Sequence, residues 1–224
     1  MDVFLESMKK YRVLWGFTLI MLLMAIYTLI QGDQRSMLVY NQNLDEVVAT
    51  VQGEEITLRD FAVYVAYQEM EIDRQAKVYN PDNPKEYWGL HTNGQFIKVA
   101  ARQGAVNMAI HDILFYQLGQ ELKLVLTEEE QTILDNDVAD FWSDLTDDDK
   151  EQRLGITKDE LYDAMHKIAL AEKAQYIYAR MNGYAYEDYV FSAEEYQEFL
   201  QGYEYTIDEK VLNRIDFGDV TLNY

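Results

Sequence analysis

Eighteen consecutive uncharged, mostly apolar residues, Val13 to Ile30, stand directly behind Lys9, Lys10 and Arg12. At ~1.5 Å per helical residue such a run spans roughly 27 Å, close to the thickness of a bilayer's hydrocarbon core. It reads as a membrane span with Tyr11 and Gln31 at its rims. The basic cluster on the N-terminal side keeps that end in the cytoplasm, which puts the remainder of the chain outside. The alternative is a cleaved secretory signal, which has a shorter apolar stretch and small residues at the cut. Ile30-Gln31-Gly32-Asp33 is a poor cleavage site, and no cysteine is present to carry a lipid. The expected organisation is a cytoplasmic N-terminus at 1–12, a transmembrane signal anchor at 13–30, a linker at 31–45 and an extracytoplasmic domain at 46–224. The expected location is a cell membrane, crossed once.

Charge divides at the same place. Residues 36–224 hold 15 of the 19 basic and 37 of the 40 acidic side chains, a formal charge of −22. A surface of that sign repels nucleic acid and anionic lipid head groups and keeps an exported protein soluble. With no cysteine there is neither a disulfide framework nor thiol chemistry.

The external part carries helical periodicity. Leu58, Phe61, Ala62, Val65, Ile72 and Ala76 form one apolar stripe; Val99, Val106, Ile110, Ile113, Leu114, Leu118 and Leu122 form a longer one. A third runs Leu161, Ala164, Met165, Ile168 and Ala171. Helix starts are marked by capping boxes, in which a Ser or Thr oxygen accepts a free backbone N–H and an acid three residues on reaches back. The pattern occurs at Thr57/Asp60, Thr127/Glu130, Thr157/Glu160, Ser192/Glu195 and Thr206/Glu209. The fold expected is mainly α.

Ahead of the first long helix the period changes to two. Val47, Ala49 and Val51 alternate with Val48, Thr50 and Gln52, and Gly53-Glu54 permits a tight turn before Glu55-Ile56-Thr57. So short a hairpin needs another strand, and Val220 to Tyr224, behind the Gly218-Asp219 turn, is the candidate. The start and end of the domain would then form a small β element. Residues 81–95 give no firm pattern, and the Thr206/Glu209 box favours helix within 204–217.

The stretch VATVQGEEITLRDF, from Val48 to Phe61, resembles the opening of the SurA-type chaperone domain, shared with PrsA-like foldases, where a "VA-VNGE-IT-EF" pattern leads from strand into first helix. The likeness continues through the long helix Gln103 to Leu124, Leu126 to Glu130, Leu154 to Leu161 and the Ala-rich helix after it, covering roughly residues 46–205. It implies a SurA-N-like helical, crevice-forming domain that holds unfolded or extended segments of exported proteins. Catalytic relatives carry a parvulin prolyl-isomerase module after this domain, longer than the 38 residues that follow Tyr186 here. No isomerase residue is therefore carried over.

The residues give no independent support for catalysis. His91, His111 and His166 lack partners at metal-ligand spacing. Asp135, Asp137 and Asp140 superficially suggest a calcium loop, but Ala139 stands where an oxygen ligand is wanted, and they read as a solvated helix face. Gly89, Gly94 and Gly104 do not form a phosphate loop, and Ser36, Ser143 and Ser192 have no nucleophile-elbow pattern. No catalytic, metal or cofactor-binding residue is expected.

Binding is better supported, since a receptor for many unfolded chains benefits from pliable Met and amphipathic Tyr side chains. Tyr64, Tyr67, Met70 and Tyr79 on the first helix are candidates for client contact. So are Tyr176, Tyr178, Met181, Tyr184 and Tyr186 near the end of the third, and Tyr87 and Trp88 in the loop Asn80 to Gly94. Three functions are open: a membrane-anchored, non-catalytic chaperone for exported polypeptides; a dedicated interaction subunit of a secretion or cell-envelope assembly; and a foldase related to prolyl isomerases with an unrecognised site.

Overall fold

A computed structural model describes residues 21–24 and 36–222, and the chain divides into two compact units, Met1–Met37 and Leu38–Tyr224. In the first, residues 21–24 are helical. The rest of the expected span 13–30, the segment 1–12 and the linker as far as residue 35 lie outside the described residues. Among the described residues no helix is long and apolar enough to cross a membrane.

The second unit is mainly helical with small sheets. It opens with the expected hairpin of β1 (Val47–Val51) and β2 (Glu54–Thr57), with Val51 opposite Glu54 and Thr50 opposite Glu55. Gln52 and Gly53 turn it with φ of 50° and 82°. Two successive left-handed residues match the right-handed twist of the flanking strands, which explains a glycine here.

The third strand differs from expectation. β5 (Tyr205–Ile207) pairs antiparallel with β1 on its free edge, Thr206 facing Thr50, giving the order β2-β1-β5. Residues 220–222 are not in a strand. Their backbone turns onto the Glu69 carboxylate instead, which accepts from the N–H groups of Gly218, Val220 and Thr221. A buried acid satisfied by three backbone donors is a stable alternative to a ladder.

Four long helices form the body: α1 (Leu58–Tyr79), α2 (Ile97–Glu121), α3 (Glu128–Asp144) and α4 (Lys158–Asn182). Capping boxes start α1, α3 and α4 at Thr57/Asp60, Thr127/Glu130 and Thr157/Glu160, as the spacing predicts. The other two boxes do not form. α5 (Glu194–Leu200) follows Ala193 without a side-chain cap. Thr206 is committed to the β5 ladder, so α6 (Glu209–Leu212) is capped by Asp208, whose Oδ1 accepts from the N–H of Lys210 and Val211. Segment 81–95 contains a 3-10 turn, Pro84–Gly89, and a second hairpin of β3 (His91–Thr92) and β4 (Gln95–Phe96).

α2 packs along both α1 and α4. The α2–α4 approach is close because its surface is small: a Cβ on Gly119 would lie 3.4 Å from both the Ala174 Cβ and the Leu170 carbonyl. The core joins the hairpin to the helices through Ile56, Leu58, Phe61, Leu114 and Leu161, with Leu212, Ile215 and Phe217 closing it from the C-terminal side. Each such side chain contributes about 1.5–3 kcal/mol by leaving water. The expected α2 stripe is cut short, since Val99 and Leu122 at its ends are exposed.

Of the residues assigned to the linker, 31–45, those from Leu38 on belong to the second unit. The Leu38 N–H donates to the Arg214 carbonyl, and the buried Tyr40 hydroxyl donates to the Leu58 carbonyl at 2.6 Å. Residues 38–45 are therefore part of the folded body, drawn in by the burial of Leu38 and Tyr40.

Candidate functional site

A cleft of about 950 Å³ opens between α1, α2, α3 and α4, with Tyr186, Val190 and Phe191 completing its lining. α1 supplies Tyr64, Tyr67, Met70 and Arg74. Residues three or four apart in a helix share a face, so these four stand beside the stripe that buries Phe61 and Val65. Met108 comes from α2, Ile133 and Phe141 from α3, and Met165 and Ile168 from α4. The floor is thus apolar, with methionines from three helices.

The rim has the opposite character. Asp112, Glu130, Asp137, Asp140, Asp144 and Glu172 line the cleft against two permanent cations, Arg74 and Lys173. Both cations are engaged. Arg74 pairs with Glu71, while Lys173 Nζ lies 2.6 Å from Glu130 and donates to the Val125 carbonyl at 2.9 Å. That contact, with the Thr127 cap, holds the Glu130 carboxyl below its ordinary range.

Around Tyr186 several polar groups meet. The buried His111 ring has Nδ1 2.8 Å from Asp112 Oδ1 and Nε2 3.0 Å from the Tyr189 carbonyl. Both ring nitrogens thus face oxygen acceptors. The Tyr64 hydroxyl also bonds Asp112, and burial first, then this carboxylate, pushes the phenol well up. Glu172 is an exposed residue that lines the cleft. Partial burial of its carboxyl, then Asp112 and Asp137, pushes it up, with His111 pulling the other way. Tyr186 is pushed up to about 12 by burial and by Glu172 and Asp112. Gln175 is fully buried beside them; its Nε2 donates to the Tyr186 carbonyl, and its Oε1 has no partner among the described residues.

Five of the side chains named from sequence meet in this cleft: Tyr64, Tyr67, Met70, Tyr176 and Tyr186. The others do not. Tyr178 belongs to an aromatic cluster, 5.2 Å from Tyr189 and 5.1 Å from Phe199, and Tyr184 leans on Tyr189 at 5.7 Å. Met181 is exposed outside the cleft. Tyr79 and Tyr87 pair at 5.4 Å on the far end of α1, and Trp88 is buried. Sequence reasoning missed Met108, Ile133 and Phe141 and the acids Asp112 and Glu172. Met165 and Ile168 of the third stripe pack against the core and also line the cleft. Sequence reasoning read Asp135, Asp137 and Asp140 as a solvated face; all three are exposed, and Asp137 and Asp140 stand on the cleft rim. A hint was present in α3, where Ile133 breaks an otherwise polar surface.

Among the described residues no three His, Asp or Glu side chains converge to hold a metal ion. The arrangement suits non-covalent capture of a chain that is apolar on one side. No family model, curated protein or solved structure matches the chain.

Proposed function

We propose that this protein is a membrane-anchored, extracytoplasmic chaperone-like protein that holds unfolded or extended segments of exported polypeptides without catalysing prolyl isomerisation. The observation carrying the reading is the cleft, whose apolar floor is built from Met70, Met108 and Met165 with Tyr67 and Tyr176 at its edges. Thioethers adapt to unrelated side chains, and tyrosines cover apolar surface while keeping a polar end wet. The volume is within the range of a cleft that encloses several side chains of a ligand. The order of the SurA-like motifs along 46–205 supports the same reading. Anchoring rests on the 13–30 run.

The test is suppression of aggregation. The full chain, mixed in equimolar amount with several unrelated denatured proteins, is expected to delay light scattering from each. It is expected to leave the isomerisation rate of a proline peptide at the buffer value. Protection of none of them, or copurification with one partner in fixed ratio without protection, overturns the chaperone reading. Resistance of the chain to alkaline extraction from membranes, with residues 38–224 digestible only from outside, tests the anchoring.

A further inference from the structure

We propose that the part of the cleft around Glu172, Gln175 and Tyr186 is a receptor for a cationic side chain, so that the segment held there is an apolar stretch carrying an arginine or lysine. This rests on the polypeptide-binding reading and names the occupant's chemistry. Three observations carry it.

The first is charge balance. Six carboxylates line the cleft, and the two permanent cations among its lining residues are already paired with Glu71 and Glu130. A segment without positive charge would leave these carboxylates uncompensated, and charges facing an apolar floor interact more strongly than in bulk water. The second is Glu172. Its carboxylate is accessible from the cleft, has no cationic partner among the described residues apart from the influence of His111, and is crowded by Asp112 and Asp137. Burial and those neighbours destabilise its charge, which a bound cation would relieve.

The third observation is independent of charge. Gln175, one helical turn from Glu172, is completely buried on the cleft wall, and its orientation is fixed because Nε2 donates to the Tyr186 carbonyl at 3.0 Å. Its Oε1 is left as an acceptor without a donor. Buried unpaired acceptors are rare in folded proteins and mark places where a donor arrives from elsewhere. A guanidinium or ammonium group brings several donors, enough to serve a carboxylate and an amide oxygen together. Tyr64 and Tyr186 line the same cleft.

The experiment measures binding of fluorescent peptides to the full chain. One peptide alternates Leu, Phe and Tyr around a central arginine; the second replaces that arginine by citrulline, its neutral isostere; the third carries lysine. The arginine and lysine peptides are expected to bind about tenfold more tightly than the citrulline peptide, the scale of one charge-assisted contact out of bulk water. In Glu172→Gln, which removes the charge and keeps the side chain's shape, that preference is expected to fall to about twofold or less. Equal binding of all three peptides to the wild type overturns the inference and leaves polypeptide binding standing. Survival of the full preference in Glu172→Gln also overturns it. Absence of binding by every peptide overturns both readings.

Discussion

Glu69 Oε2 accepts hydrogen bonds from the N–H of Thr221 at 2.6 Å and from its hydroxyl at 2.5 Å, joining the middle of α1 to a residue 152 positions later. Oε1 takes the N–H groups of Gly218 and Val220. Burial pushes this carboxyl up and the four donors pull it down, with burial prevailing. The C-terminal turn is thereby clasped to the first helix.

Removing the clasp leaves several buried donors unserved. Each costs about 1–3 kcal/mol when water cannot replace the acceptor, so Glu69→Ala is expected to destabilise the protein by about 3 kcal/mol or more. Glu69→Gln is expected to cost less but still more than 1 kcal/mol, about one lost charged hydrogen bond, because its NH₂ faces a donor. Urea denaturation checks both, and a loss within about 0.5 kcal/mol, the scale of a surface change, contradicts the clasp.

Gly218 itself is expected to be irreplaceable. Its φ is +93°, and a Cβ would lie 2.6 Å from Trp88 Cδ2. Gly53 has a similar φ of +82° but open space around it. Gly53→Ala is expected to lose about 1 kcal/mol from backbone strain alone, and Gly218→Ala about 2–4 kcal/mol from strain plus the indole clash. Thermal unfolding of the two variants side by side separates the terms.

The caps of α3 and α4 make stability depend on acid. Lys173 and the Thr127 cap lower Glu130. At Glu160, burial raises the carboxyl, but the Thr157 cap and Arg59 outweigh it and the net direction is down. A carboxyl lowered in the folded state contributes stability above its unfolded value, and this is lost as pH falls through the folded one. Between pH 7 and pH 3, denaturation midpoints of the wild type are expected to fall more steeply than those of Glu130→Gln. Parallel curves would contradict the assignment.

Two tyrosines are expected to separate binding from folding. Tyr67→Ala, exposed on the cleft, is expected to weaken peptide binding about fivefold to tenfold with little change in stability. Tyr178→Ala, within the aromatic cluster, is expected to cost about 2–3 kcal/mol of stability and leave affinity intact. Titration calorimetry and urea denaturation of both variants read the two effects.

Local chemistry was legible in the chain and distant chemistry was not. The Thr57/Asp60, Thr127/Glu130 and Thr157/Glu160 boxes are complete within four residues, so nothing far away had to be known. Thr206 carries the same pattern but was claimed by Thr50 across the sheet, and the nearby Asp208 took over the cap. The box at Thr146/Asp149 and the Glu69 clasp passed unnoticed, the first in an acidic run and the second because its partners lie at the other end of the chain. The tyrosines of α1 could be named from sequence. The cleft could not be separated from the core, because Met165 and Ile168 continue the same apolar stripe as the fully buried Leu161. Periodicity identifies an apolar face; only packing decides whether another helix covers it.

Position-specific photo-crosslinking tests the cleft most directly. A photoreactive phenylalanine derivative in place of Ile133, 54% exposed on the cleft floor, is expected to crosslink unfolded polypeptide efficiently, and the yield should fall when an excess of the arginine peptide is added. The same derivative in place of Val78, 86% exposed on α1 away from the cleft, is expected to give background yield. Equal crosslinking from the two positions, or none from position 133, would contradict the account.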